Sequence, residues 1–276
     1  MTKDKTFLIN KTKIGLILSA GGAKGLAHIG VLKVLEKNGI KISSISGSSI
    51  GSIIGAYSAL GYSALEIESI ALSYDKKKIK KIFDLDIPLK SLLKGKKTRQ
   101  YLLEMYKEKT FSDLKIPFYP IATNLATGKP YVFKSGKIVD AVEASISLPA
   151  IYKPKKIGDV EFTDGGVVEP FPISVLKKKV NFTIGIRLPY NYEKLFIVSK
   201  IKILQIMARS LSIMEENLTS STIDKYKPDF VFDLRKPLET FSDFDFKKAN
   251  EIIGIGETEA KKHIRKLIKK INNSGL

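Results

Sequence analysis

The chain has 276 residues, of which 43% are hydrophobic and 27% charged, as is usual for a globular protein with a substantial core. It contains no cysteine and only two histidines, which excludes disulfides, zinc–thiolate sites, cysteine nucleophiles and histidine-rich metal sites. The formal net charge is +19, nearly all of it from lysine. Nucleic-acid contacts favour arginine and aromatic platforms, so we expect no nucleic-acid partner.

The dispersed lysines have two remaining explanations, a general amino-acid bias or attraction to an anionic lipid surface. The densest run lies between residues 76 and 97 and is the best candidate for a surface patch. Residues 84–97 also mix proline, charges and apolar side chains, a composition that suits a surface flap slightly better than a core helix. This region therefore predicts peripheral contact with an anionic membrane surface.

The N-terminal segment places lysines before a short apolar run at 14–18. The run is short for the apolar part of a secretory leader and leads directly into a glycine loop, so we interpret it as a buried strand. No apolar segment approaches the length that spans a bilayer. We expect a protein that is cytoplasmic or peripheral to a membrane.

Hydrophobic periodicity predicts strands that alternate with helices. Strands are predicted at 13–19, 42–46, 118–124, 131–133, 160–163, 182–188 and 230–234. Helices are predicted at 26–38, 50–60, 63–72, 98–106, 138–145, 173–177, 201–218 and 257–271. This order favours an α/β three-layer sandwich, with a mostly parallel central sheet and helices on both faces. We expect one domain over 1–276, with core motifs at about 12–190 and C-terminal helices packed on it. The amphipathic helix at 201–218 fits the core or a dimer interface equally well.

Three glycine-bearing loops follow predicted strands, namely Ala20–Gly25, Gly47–Gly51 and Asp164–Gly166. The carboxyl ends of parallel strands share one edge of a sheet, which is where sites form in α/β proteins. We therefore expect the three loops to meet.

The second loop, Gly47-Ser48-Ser49-Ile50-Gly51, matches G-x-S-x-G, the pattern of a nucleophile elbow. A predicted strand precedes it and a predicted helix follows it, which is the context that the pattern requires. The serine of such a turn is strained, and its neighbours two positions away must lack a bulky Cβ. Ser49 is thus a candidate nucleophile at a helix N-terminus, where negative charge is favoured.

Acyl transfer needs a nucleophile, a base for its proton and donors for the oxyanion. Asp164 is the candidate base for Ser49, and the backbone N–H groups of Gly21, Gly22 and Ala23 are the candidate oxyanion donors. A Ser-His-Asp triad is disfavoured, because one histidine, His28, lies inside a predicted helix and the other, His263, lies on a basic surface helix. A Ser-Asp dyad requires a desolvated aspartate with a raised pKa.

The motifs together resemble the patatin-like phospholipase family, and its compact bacterial members in particular. The matching segments are LSAGGAKGLAHIGVLKVLE, SGSSIGSIIGAY, ASISLPAIYKP and FTDGGVVEPFPI, which with their order cover roughly residues 12–190. The resemblance implies a hydrolase of lipid acyl esters that uses Ser49 and Asp164 and needs no metal or other cofactor. The motif positions that would support these residues are Lys24, Gly25, Gly47, Gly51, Gly165 and Gly166.

The glycine loop departs from the family pattern at its first position, where Ala20 replaces the usual glycine. Gly21, Gly22 and Gly25 are retained, so we expect only a small backbone adjustment. Lys24 stands where the family has arginine or lysine, and we expect its charge to support the loop rather than take part in the chemistry.

Two other classes of function compete with a hydrolase. A nucleotide-binding protein would also place a glycine loop between a strand and a helix, but Lys24 is followed by Gly25 rather than by serine or threonine, and G-x-G-x-x-G is incomplete at Ala20. A catalytically silent lipid-binding protein would not require Ser49 and Asp164. The lipid headgroup, the acyl-chain length and the oligomeric state stay open.

Overall fold

The computed structural model describes residues 12–73, 95–149, 151–191 and 202–274. The strands are β1 (Ile14–Leu18), β2 (Ile42–Ser48), β3 (Phe118–Asn124), β4 (Lys129–Val132), β5 (Lys155–Ile157), β6 (Val160–Asp164), β7 (Phe182–Arg187) and β8 (Phe230–Asp233). The α-helices are α1 (Ala27–Lys37), α2 (Ile50–Ala59), α3 (Ala64–Ser73), α4 (Gly95–Tyr106), α5 (Ile138–Ser145), α6 (Lys202–Tyr226) and α7 (Ala249–Asn273). The lysine run and the candidate flap fall largely within residues 74–94, which lie outside the described residues.

The described strands form one mixed sheet in the order β5-β6-β3-β2-β1-β7-β8, with β4 paired to β3. The five strands from β3 to β8 along this path are parallel. All five residues of β1 are buried, as expected for a central strand that is covered on both faces. The predicted fold class, a mostly parallel sheet with helices around it, is confirmed.

Alternate residues of β1 contribute to two separate cores. Ile14, Leu16 and Leu18 belong to the large core beneath α1, α2 and α7. Ile17 points to the other face and packs with Phe171 and neighbouring apolar residues, including two from the end of α6. Helices or loops therefore cover the sheet on both sides.

Beyond β3 the strand direction alternates, so that β6 runs opposite to the parallel part of the sheet. β6 pairs antiparallel with β3, with Ala122 opposite Asp164, and β5 pairs antiparallel with β6. The expectation that Asp164 ends a parallel strand was wrong. Asp164 is instead the last residue of an antiparallel strand. It lies level with the end of β2, because Ser48 of β2 pairs with Ile121 of β3 and Asp164 pairs with the next residue, Ala122.

Helices α1 and α7 pack with their backbones in unusually close contact. A Cβ atom at Gly256 would overlap the backbone carbonyl of Ala27, and one at Gly30 would overlap the carbonyl of Ile253. Sequence periodicity placed the start of the last helix at residue 257, whereas it begins at Ala249. The early turns contain two glycines, which lower helix propensity but here permit the helix contact.

We expect Gly256→Ala and Gly254→Ala to have opposite effects on stability. Gly256→Ala should lower the free energy of unfolding by about 1–3 kcal/mol, because backbone atoms of α1 cannot move aside. Gly254 has open space around its Cα, so alanine there should stabilise α7 by up to about 1 kcal/mol. Thermal unfolding of the two variants measures the difference, and equal melting temperatures would contradict it.

Two other helices differ from prediction. The segment at 173–177 forms turns rather than a helix, and two of its amides, those of Leu176 and Lys177, share the carbonyl of Ile173. Helix α6 is longer than predicted and continues to Tyr226. Within the described ranges, no helix has the length and apolar content that crossing a bilayer requires.

Candidate active site

Ser49 occupies a sharp turn between β2 and α2. Its backbone lies at φ 52° and ψ −124°, which is a strained conformation for a residue with a side chain. The flanking glycines make the turn compact, because a Cβ at Gly47 would overlap the carbonyl of Gly51, and a Cβ at Gly51 would overlap the carbonyl of Leu18. This geometry is the one that the G-x-S-x-G pattern predicts.

The Ser49 hydroxyl donates a hydrogen bond to Asp164. The distance from Ser49 Oγ to Asp164 Oδ2 is 2.7 Å, across 115 residues of sequence. Ser49 is partly exposed, whereas Asp164 is fully buried. The site therefore combines a hydroxyl that solutes can reach with a carboxyl shielded from water.

The Asp164 carboxyl and backbone are held by neighbouring groups. Its second oxygen, Oδ1, accepts a hydrogen bond of 2.7 Å from the amide of Gly166. The Asp164 amide donates to the carbonyl of Ser147, and the Thr123 hydroxyl donates to the Asp164 carbonyl. These contacts orient Oδ2 towards Ser49. Gly165 fits beneath the turn, since a Cβ there would overlap the carbonyl of Ile121.

Burial raises the pKa of Asp164 from its ordinary value of 3.8 to about 7. The hydrogen bonds from Gly166 and Ser49 oppose that rise because they stabilise the carboxylate. Asp164 is thus a stronger proton acceptor than an exposed aspartate and is still ionised in a large fraction of molecules at neutral pH.

The glycine loop lies beside this pair and begins the 3-10 helix Gly22–Leu26. Gly21 and Gly22 have φ values of 150° and 56°, respectively, and Gly22 lines the same cavity as Ser49 and Asp164. Ala20 is outside the left-handed region, so this position tolerates alanine. The Ala23 amide does not fit the predicted oxyanion role, because it donates a 2.7 Å hydrogen bond to the Asp243 carbonyl.

Lys24 and Asp243 form a buried ion pair under the loop. Their Nζ and Oδ2 atoms are 3.0 Å apart, and both side chains are fully buried. The same Asp243 oxygen accepts a hydrogen bond from the Asn191 amide. Burial raises the pKa of Asp243, and Lys24 opposes the rise. Gly25 lets the 3-10 helix approach Ile50.

Neither histidine belongs to the site. His28 is buried in α1 and its Nε2 lies 3.0 Å from the carbonyl of Ser19, while burial lowers its pKa to about 4. His263 is exposed on α7. Across the described ranges, no group of three histidine, aspartate or glutamate side chains is arranged to hold a metal ion.

Two neighbouring cavities border the site. The smaller, about 40 Å³, contains Ser49, Asp164 and Gly22 and is otherwise largely apolar. The larger, about 90 Å³, lies between α2, α3 and α4 and is almost entirely apolar. The two share four wall residues, Ile50, Ile53, Ile146 and Phe246.

Sequence reasoning missed several residues that support the site. Ser145 Oγ accepts a 3.0 Å hydrogen bond from the Ser49 amide, and the Ser147 carbonyl accepts one from the Asp164 amide. Both serines lie in the ASISLP segment. Its resemblance to the family motif was the signal that could have identified them. Thr123 and Asp243 follow no motif, and their roles depend on distant parts of the chain.

Comparison with known proteins identifies the relatives of the chain. The family model described as patatin-like phospholipase matches residues 16–177. An uncharacterised NTE family protein of Mycobacterium tuberculosis is 30% identical over 177 residues, which is 64% of this chain and 49% of that protein. Lysophospholipase NTE1 of Scheffersomyces stipitis is 25% identical over 281 residues, covering 92% of this chain and 18% of the yeast protein. The chain thus spans half or less of these relatives.

Among solved structures, VipD from Legionella pneumophila matches with a TM-score of 0.51 at 12% identity. The match covers 93% of this chain and 67% of the VipD chain. At that identity the likeness concerns the fold alone.

Proposed function

The chain belongs to the patatin-like phospholipase family, and on that premise we propose that it is a serine acyl hydrolase of lipid esters. The reaction class would be that of a phospholipase A or lysophospholipase, with an acyl-serine intermediate. The observation that carries the proposal is the 2.7 Å hydrogen bond from Ser49 Oγ to Asp164 Oδ2 at a strained strand–helix turn.

In the first half-reaction, Ser49 Oγ attacks the ester carbonyl carbon while its proton moves to Asp164 Oδ2. Negative charge develops on the carbonyl oxygen, and the amides of Gly21 and Gly22 are the donors that we assign to it. Collapse of the tetrahedral intermediate breaks the ester bond, and the leaving alcohol takes the proton from Asp164.

In the second half-reaction, water attacks the acyl-Ser49 ester. Asp164, again ionised, accepts the proton of the water, and collapse returns that proton to Ser49 Oγ. The products are a carboxylic acid and the alcohol or lysolipid released earlier. Every proton passes through one carboxyl, which fits a pKa near neutrality.

The larger cavity supports a substrate with a hydrocarbon tail. An ester carbonyl held at Ser49 would place its acyl chain against the shared wall formed by Ile53, Ile146 and Phe246, with the apolar cavity beyond. Each methylene that leaves water contributes about 0.8 kcal/mol to binding. Fatty acyl esters should therefore bind better than acetate esters.

The proposal is tested by labelling the protein with a fluorophosphonate and mapping the adduct by mass spectrometry. We expect an adduct on Ser49 that is absent from Ser49→Ala and present in Ser58→Ala, a control in the helix that follows Ser49. The wild-type protein should also release fatty acid from lysophosphatidylcholine. A folded protein that forms no adduct, with or without lipid vesicles, and releases no fatty acid would overturn the proposal.

A further inference from the structure

Helix α6 turns a set of large apolar side chains away from the protein. They are between 44% and 58% exposed: Ile203, Ile206, Met207, Ile213 and Met214. With 100° between successive residues, the five positions fall within an arc of about 120°. The exposed Ser210 lies in the same arc and interrupts the face. A largely apolar face of this kind is typical of helices that meet another apolar surface.

The opposite side of the same helix packs against the wall of the catalytic cavity. Ala208 is buried against Ile151, and Leu211 and Tyr152 pack on this pair. Ile151 and Tyr152 also line the cavity that contains Ser49 and Asp164. Two turns after Ala208, Glu215 is buried beside Gly166. The exposed apolar face is therefore one helix diameter away from the catalytic cavity.

The charges on this part of α6 are all positive. Residues 202–214 include Lys202 and Arg209, both exposed, and no acidic residue. The whole chain carries a formal net charge of +19. An apolar face bordered by cations complements the hydrocarbon boundary and phosphate charges of an anionic bilayer, whereas a second copy of this chain would bring like charges together.

We propose that the exposed apolar face of α6 docks on an anionic phospholipid surface, with the helix axis in the plane of the membrane. Docking would bring the Ser49 cavity close to the lipid boundary, so that an acyl chain could enter with little exposure to water. That purpose rests on the proposed function, but docking itself is a separate property and is measured separately.

The test uses the whole chain and flotation with phosphatidylcholine vesicles, with and without phosphatidylglycerol. We expect stronger binding to the anionic vesicles, and binding that weakens as salt rises. Met207→Gln/Met214→Gln should weaken this binding about tenfold or more. The matched control is Leu65→Gln/Leu72→Gln, which changes two exposed leucines of α3 and should leave binding unchanged.

Hydrolysis of a soluble short-chain ester separates the two proposals. The α6 double variant should keep wild-type activity on that ester while losing activity on anionic vesicles. Equal vesicle binding by the wild type and the α6 variant would overturn the docking proposal, as would the absence of wild-type binding. A wild-type dimer that the α6 variant converts to a monomer would also overturn it, by assigning the face to a second copy.

Discussion

Asp164→Asn should lower kcat by about 10²–10⁴-fold, because a neutral amide cannot take up the Ser49 proton. The amide fits the space, its oxygen can accept the hydrogen bond from the Gly166 amide, and its NH2 group can face Ser49, so the variant should fold. Its activity is measured on a short-chain ester and on a lysophospholipid. The control is Asp159→Asn, the same substitution at an exposed position shortly before β6.

The pH dependence of the wild type provides a second readout of the same carboxyl. Asp164 accepts a proton only when ionised, so kcat/KM should rise tenfold per pH unit below about 7 and level off above it. Asp159→Asn should keep that profile. An ascending limb centred near pH 4, the range of an exposed aspartate, would contradict the role of burial at this site.

Burial of Asp164 also has a cost in stability. Its folded pKa is about 7 against an ordinary value of 3.8, so the folded state holds a proton that the unfolded state has lost between these pH values. Stability present at acid pH is therefore lost as pH rises towards 7, by at most about 1.4 kcal/mol per unit. Asparagine does not titrate. The melting temperature of Asp164→Asn minus that of the wild type should therefore be larger at pH 8 than at pH 4.5.

Lys24→Met should lower the free energy of unfolding by about 3–5 kcal/mol, because it leaves the Asp243 carboxyl buried without its cation. Lys24→Met/Asp243→Leu removes both charges and should recover part of that loss. Chemical denaturation of the two single variants and the double variant measures the coupling. Simple addition of the single effects would show that the pair does not interact.

Catalysis should not recover with stability in the double variant. Asp243 holds the glycine loop through its carbonyl, and its carboxylate also binds the Asn191 amide. Leucine keeps the carbonyl but loses both carboxylate contacts, those with Lys24 and with the Asn191 amide, so the segment that carries the carbonyl is less firmly held. This should move the Gly21 and Gly22 amides and lower kcat with a smaller change in KM. Lys137→Met is the control, since it breaks an exposed ion pair with Glu108 that contributes at most about 1 kcal/mol.

Local patterns predicted most of the fold and the residues of the Ser49–Asp164 contact. The G-x-S-x-G turn depends on the small size of Gly47 and Gly51, which can be read from five consecutive residues. The strand at 118–124 and the helix at 138–145 were predicted with the observed bounds, because their apolar residues recur at the spacing typical of a strand and of a helix, respectively. The D-G-G motif located Asp164, although the strand that carries it proved antiparallel.

What escaped prediction depends on contacts between distant residues. The start of α7 was missed because Gly254 and Gly256 resemble helix breakers until the neighbouring helix is known. The oxyanion assignment for Ala23 conflicts with the structure because Asp243, 219 residues after Lys24, supplies the acceptor for the Ala23 amide. No period or motif encodes such a pairing.

The long separation between Lys24 and Asp243 has a consequence for synthesis of the protein. Chains emerge from the ribosome N-terminus first, at about 5–20 residues per second. Ser49 and Asp164 are both made well before the residue that anchors the glycine loop. The loop can take up its final position only after Asp243 has emerged, so in a nascent chain that stops short of Asp243 the candidate site should have an unanchored glycine loop.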